Sequence, residues 1–300
     1  MTRLVALACA LLALTACGTA TGSDAPKSAF PTQDVVSQVA RDPAVSALLP
    51  EDVRRAGSIR LATAAGGTPP SAFYAEDNRT LLGQDVDIAD AVARVLGVRL
   101  DRQVASFEAI LPALGSGKFA VGTGNFGVTT ERLKTIDFVT YVDDGQGFAV
   151  RGDSPLGAIT DLTQLCGKRI GTGAGTTFEA TLERERHRCA DSGRSPYEVQ
   201  VFAETSALYL SLQQGRVDVL MSTINGLRYA VSRQPNLRFL NEFHRLDVGF
   251  AFAKGSPLTA AFQAAVNKLI ADGTYDRVLG KWGTRSSALD TSRINPPERA

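Results

Sequence analysis

Between residues 58 and 114 the spacing of apolar side chains switches back and forth between two periods, and no other feature narrows the fold as far. Residues 58–63, SIRLAT, alternate as a strand does. After a Gly/Pro loop, Val86, Ala89, Val92, Ala93 and Leu96 recur at helical spacing and Gly97 follows as a fitting C-cap. Residues 98–104 alternate again, and residues 107–114, FEAILPAL, read as a short helix ending near Gly115. Strand–helix–strand–helix in that order predicts an α/β lobe built on a largely parallel sheet.

A second unit of the same kind follows. Residues 167–172 form a short strand that runs through glycines into residues 173–182, GAGTTFEATL, a strand–loop–helix arrangement suited to an anion. Residues 206–221 read as helix, glycine turn and strand. Two strand-like stretches, residues 141–151 and 246–253, flank this unit. They predict a lobe inserted into another, with the first at 56–143 plus 251–283 and the second at 144–250. Ligands favour the cleft between such lobes. The glycine loop is not a dinucleotide site, because its spacing is G-x-G-x-G, and no G-K-[ST] of a P-loop is present. No cofactor is expected.

Within the first lobe, residues 122–138, GTGNFGVTTERLKTIDF, combine small residues that leave backbone amides open with the start of a helix carrying Arg132. A planar guanidinium beside free amides suits a carboxylate. A solvated arginine on a helix surface is the bland alternative.

The N-terminus reads as an export signal. Arg3 gives a positive start, residues 4–14 are apolar but too short to span a bilayer, and Thr15 and Ala16 precede Cys17. That ending resembles the bacterial lipobox and implies a lipid on Cys17; an ordinary secretory signal with an incidental cysteine is the alternative. Residues 18–29 read as a tether. Residues 30–56 read as short helices broken by Pro43 and Pro50, packed outside the first lobe. With Cys9 and Cys17 set aside, Cys166 and Cys189 remain. In an oxidising compartment they are expected to be bridged, with a pair of buried free thiols as the alternative. His187 and His244 are the only histidines and no C-x-x-C occurs, so no metal site is expected. Charge nearly cancels, 32 basic against 31 acidic residues, with no basic stripe for nucleic acid.

From about residue 57 to 283 the ordered blocks resemble the family 3 periplasmic solute-binding proteins, the polar amino-acid receptors of ABC importers. The blocks are Pro69-Pro70 with Phe73, residues 83–89 (GQDVDIA), residues 107–114, Arg132 to Phe138, and DGTY…KWG at residues 272–283. The resemblance implies a two-lobed, type II periplasmic-binding-protein-like α/β fold, each lobe a mostly parallel sheet flanked by helices, joined by two hinge strands. It implies a monomeric, non-enzymatic receptor on the outer face of the membrane, which delivers a small carboxylated solute to a permease and its ATPase. By the same resemblance Arg132 grips the ligand carboxylate, Asn125 and Gly127 assist, Phe107 walls the pocket, and Thr177, with Thr176 beside it, meets the carboxylate from the second lobe. Phe73 and Tyr74 are softer wall candidates.

One position departs from the pattern. The family carries an aspartate for the ligand's α-ammonium where this chain has Thr223, and a hydroxyl offsets much less of an amine's desolvation. Asp247 is the candidate substitute, and Asn225 could donate or accept. Ala64 occupies the region of a second acid that meets side-chain ends in glutamine-type members. Residues 284–300 read as a loose tail. Two rival functions share this fold. One is a cyclohexadienyl or arogenate dehydratase, for which Glu179 is the nearest general acid; the other is a sensing lipoprotein without transport.

Overall fold

The computed structural model describes residues 30–67 and 69–299. The export signal, Cys17 and the tether lie outside the described residues. Residues from Gln33 onward form one compact unit.

Pro43 and Pro50 begin helices where the sequence reading had them break one. Helix α1 (Pro43–Ser46) is capped by Asp42, whose carboxylate accepts from the amides of Ala44 and Val45, with Pro43 in its first turn. Pro50 is the N-cap of α2 (Glu51–Ala56). Strand β1 (Ser58–Ala64) then enters the sheet. The hairpin β2 (Phe73–Tyr74) and β3 (Leu81–Leu82) leads to α3 (Gln84–Leu96), which ends on Gly97 in the left-handed conformation, φ 71°. Gly83 is required here: its φ is +132°, and a Cβ would stand 1.5 Å from the carbonyl oxygen of Ser71. Next come β4 (Arg99–Ala105), α4 (Phe107–Gly115) and β5 (Val121–Gly127).

The two crossings are longer than the sequence suggested. Strand β6 (Ile136–Arg151) and its later partner β10 (Leu237–Ala253) pair antiparallel along almost their whole length. Between them lie β7 (Arg169–Gly173), α5 (Thr177–Glu185), α6 (His187–Asp191), β8 (Glu198–Phe202), α7 (Thr205–Gln213), β9 (Val219–Thr223) and α8 (Ile224–Arg233). Helices α9 (Thr259–Ala271) and α10 (Thr274–Trp282) return to the first lobe.

One eight-stranded sheet results, in the order β4-β1-β5-β10-β6-β9-β7-β8. On one side β4, β1 and β5 are parallel, and on the other β9, β7 and β8 are parallel. Each triplet meets a hinge strand antiparallel. The rule that parallel strands are covered on both faces explains the separate cores. Ile110 and Leu114 of α4 pack with Phe119 and Phe138 in lobe 1. In lobe 2, Phe148, Ile170, Leu182 and Tyr197 pack on one face and Leu208, Leu212, Leu220 and Leu227 on the other.

Cys166 and Cys189 are bridged. The bond ties the turn before β7 to α6, beside the core around Tyr197.

The C-terminal stretch is no loose tail. A turn of 3-10 helix (Arg285–Ser287) is followed by residues that lie along the hinge: Ile294 bridges Val139, Arg293 O accepts from Thr140 N at 3.0 Å, and Asn295 Oδ1 accepts from Phe138 N at 2.7 Å. A polar segment with no period gives no sequence signal for such packing, because its partners lie about 150 residues away. Among the described residues no helix is long and apolar enough to cross a membrane, and no acid, histidine or cysteine cluster could hold a metal.

Candidate functional site

A cavity of about 170 Å³ lies between the lobes. Its walls come from the carboxyl ends of the six parallel strands. Ala64 ends β1, Ser106 and Phe107 follow β4, and Gly124 to Gly127 close β5. Opposite them Gly173 ends β7, Phe202 ends β8 and Thr223 ends β9. In open α/β sheets ligands sit beyond these strand ends. Four helices, α4, α5, α7 and α8, begin within one to four residues of the same ends, so their N-terminal partial positive charges converge on the cavity.

Arg132 sits in a turn of 3-10 helix (Arg132–Lys134) where the sequence suggested an α-helix. Thr129 Oγ1 accepts from its amide at 3.2 Å. The guanidinium donates to Gly127 O at 3.0 Å in lobe 1 and to Gly175 O at 3.1 Å in lobe 2. It lies over the rings of Phe107 and Phe126 at 5.9 and 6.0 Å. Burial brings its pKa down to about 10, still well above neutrality. Two of the five N–H donors of a guanidinium are committed to carbonyls, and the others remain for a ligand.

Phe107 and Phe126 stack with centroids 4.7 Å apart, so Phe107 serves core and cavity wall together. Gly124 and Gly127 leave room by lacking a Cβ: one on Gly124 would lie 2.8 Å from Ala64 Cβ. Asn125 lines the cavity with φ 57°, a conformation that asparagine tolerates better than most residues. Its amide nitrogen turns away from the cavity to Asp144 Oδ2 at 3.0 Å.

Both threonines of lobe 2 line the cavity. Thr176 is the N-cap of α5: its hydroxyl accepts from Glu179 N at 3.2 Å and donates to Gly173 O at 2.7 Å. Glu179, weighed as a general acid, instead accepts from Gly175 N at 2.7 Å. Thr223 is the N-cap of α8, accepting from Gly226 N at 3.1 Å. Both hydroxyls hold their helices in place while facing the cavity.

Two candidates are placed elsewhere. Phe73 is buried edge-to-face against Trp282, centroids 5.7 Å apart, and does not reach the cavity. Asp247 is 2% exposed and pairs with Arg293 at 2.9 Å and with Arg299. Residue 247 faces the C-terminal stretch because β10 pairs it directly with Asp143 of β6, on the hinge face that stretch covers. The carboxylate that the fold does put behind the Thr223 corner is Asp144. Its oxygens accept from Asn125 Nδ2 and, at 3.1 Å, from Asn225 N, and burial raises its pKa to about 6. Asn225 itself pairs with Ser287.

Ser71, Ser222, Thr205 and Glu204 also line the cavity and were not singled out from the sequence. Their signal was position: each stands close to a strand end or in the loop after β1, which becomes meaningful once the strand order is known.

Comparison with known proteins bears on the family and the fold. Residues 59–285 match the model of the bacterial extracellular solute-binding proteins, family 3. The arginine-binding protein ArgT of Corynebacterium glutamicum is 28% identical over 84% of this chain and 83% of its own length. The L-cystine-binding protein TcyJ of Escherichia coli is 29% identical over 72% of this chain and 79% of its own. Among solved structures, an ancestral arginine-binding protein bound to arginine superposes with a TM-score of 0.68 at 32% identity, covering 75% of this chain and 98% of that one. The ordered blocks, the two lobes on one hinged sheet and the match over residues 59–285 together establish that this chain belongs to the family 3 bacterial extracellular solute-binding proteins.

Proposed function

We propose that the protein is the receptor of an ABC importer for an amino acid, held between the lobes with its α-carboxylate on Arg132 and on the amides at the start of α5. The observation that carries this is Arg132 itself: a half-buried, charged guanidinium on the cavity wall, bonded to carbonyls of both lobes, with donors to spare. Such a fork gains most from a bidentate carboxylate. The relatives' amino-acid ligands support the same class. Asn125, Gly127, Phe107, Thr176, Thr177 and Thr223 complete the proposed contact set. The ligand's α-ammonium lies at the Thr223 corner, with Asp144 supplying negative charge behind Asn125.

Closure follows from the sheet. Strands β6 and β10 are the covalent links between lobes, so bending them opens the cavity, and a ligand that touches both lobes favours the closed state. The closed pair of lobes then presents one surface to a permease. We further propose that Cys17 carries a lipid which anchors the mature chain as a monomer to the outer face of the membrane, and that the chain breaks no bond in its solute.

A thermal-shift panel of the purified protein against proteinogenic amino acids, N-acylated derivatives and simple carboxylates tests the reading. A ligand present at a hundred times its Kd stabilises by about 2.7 kcal/mol. We expect a free amino acid to shift the wild type and Arg132→Ala to abolish that shift. A panel in which no carboxylate binds, or in which Arg132→Ala binds as the wild type does, refutes it. Prephenate and arogenate incubated with the protein should be recovered unchanged.

A further inference from the structure

Among the described residues that wall the cavity, the charged ones are Arg132 and Glu204. Glu204 follows β8 and is the N-cap residue of α7, a position where side chains commonly accept from first-turn amides. Its carboxylate makes no such bond, and no hydrogen bond or ion pair joins it to any described residue. It points across the cleft: its Oε2 lies 3.8 Å from where a Cβ on Gly66 would stand, over the loop that follows β1. Gly66, at φ +97° and without a side chain, leaves that carboxylate open to the cavity.

Its lateral position decides which part of a ligand it meets. In lobe 2 the strands run β9-β7-β8, so Glu204 stands two strand spacings, about 10 Å, outward from Thr223. It is therefore too far to serve the α-ammonium at the Thr223 corner, and it faces the distal end of a bound molecule. A carboxylate with no protein partner, facing lobe 1 across a narrow cleft, favours a cation and disfavours an anion or a neutral polar group.

We infer that Glu204 determines specificity for the distal group, and that the ligand is an amino acid with a cationic side chain, a guanidinium or an ammonium. This rests on the carboxylate clamp at Arg132. It also accounts for Ala64: the acid absent from lobe 1 is supplied by lobe 2, so the side-chain contact forms only as the lobes close.

Titration calorimetry of the purified protein tests it with two matched pairs. L-arginine is compared with L-citrulline, in which a neutral urea replaces the guanidinium, and L-lysine with L-norleucine. We expect the wild type to prefer one of the cations by at least about tenfold over its neutral partner. Glu204→Gln should erase that preference while leaving the neutral ligand's affinity within about twofold, and Glu204→Asp should keep part of it. A preference that survives Glu204→Gln, or a loss shared equally by charged and neutral ligands, overturns the inference. Arg132→Ala is run alongside. If neutral amino acids bind in an Arg132-dependent way and charge is ignored, the inference on Glu204 falls and the clamp stands. If none of the four ligands depends on Arg132, the clamp falls and takes this inference with it.

Discussion

Removing Arg293 and Arg299 together should destabilise the fold severely, through one carboxylate. Asp143 and Asp247 face each other directly across the two hinge strands, and like charges in that position repel. Asp247 is 2% exposed, so its charge has almost no water. Arg299 reaches both acids, at 2.8 Å in the case of Asp143, and Arg293 holds the other oxygen of Asp247 at 2.9 Å. Burial pushes the Asp143 carboxyl up, and Arg299 and Arg245 oppose that shift. With Arg299→Ala alone, Arg293 still covers Asp247, and the loss should be that of a charged hydrogen bond, about 1.5–3 kcal/mol. With both arginines gone Asp247 is an uncompensated buried charge, which costs about 3–5 kcal/mol. At roughly 2–4 °C per kcal/mol for a chain of this size, Tm should fall by roughly 6–20 °C. Differential scanning calorimetry of wild type, single and double variants measures this, and the same pair made in an Asp247→Asn background supplies the control. There the partner is neutral and the arginines should matter much less. A double variant within about 1 kcal/mol of wild type would refute the reasoning, as would an equal loss in the Asp247→Asn background. The second result would mean that the arginines act through the packing of their apolar stems.

Two further outcomes are expected. Replacing both Cys166 and Cys189 by serine opens a link spanning 23 residues and should lower stability by about 3 kcal/mol on the chain-entropy model, seen as a lower urea midpoint that matches the reduced wild type. Burial raises the carboxyls of Asp85 to about 7 and Asp144 to about 6, from 3.8, so the folded state holds protons that the unfolded chain has released. Stability should therefore fall as pH rises from about 4 to about 7, and Asp85→Asn should flatten that slope in urea titrations; an unchanged slope would show that Asp85 contributes nothing to it.

How much of this was legible in the sequence depended on distance along the chain. Elements α3 and α4 were read within a residue or two of their observed limits, because a helix registers its own apolar period and Gly97 its own cap. Arg132 was singled out because small residues and threonines lie within ten residues of it and because the ordered blocks resemble a family with an arginine there; Gly175, its contact in the second lobe, lies 43 residues away and gave no signal. The 3-10 turn around it was missed, since Thr129 and Glu131 suit an α-helical start equally well. Asp247 was misplaced for a different reason. A carboxylate on a strand faces whichever element covers that side, and here the cover is a C-terminal stretch about fifty residues downstream with no periodic signal.

The chain's own sequence determined that there would be two α/β lobes, two crossings and a bridgeable cysteine pair, because those follow from periods, caps and counts within short windows. The tertiary structure alone decided where the acids would stand relative to the cavity. Strand order, which no local pattern encodes, set Glu204 opposite the loop after β1, put Asp144 behind Asn125, and turned Asp247 toward the C-terminal arginines.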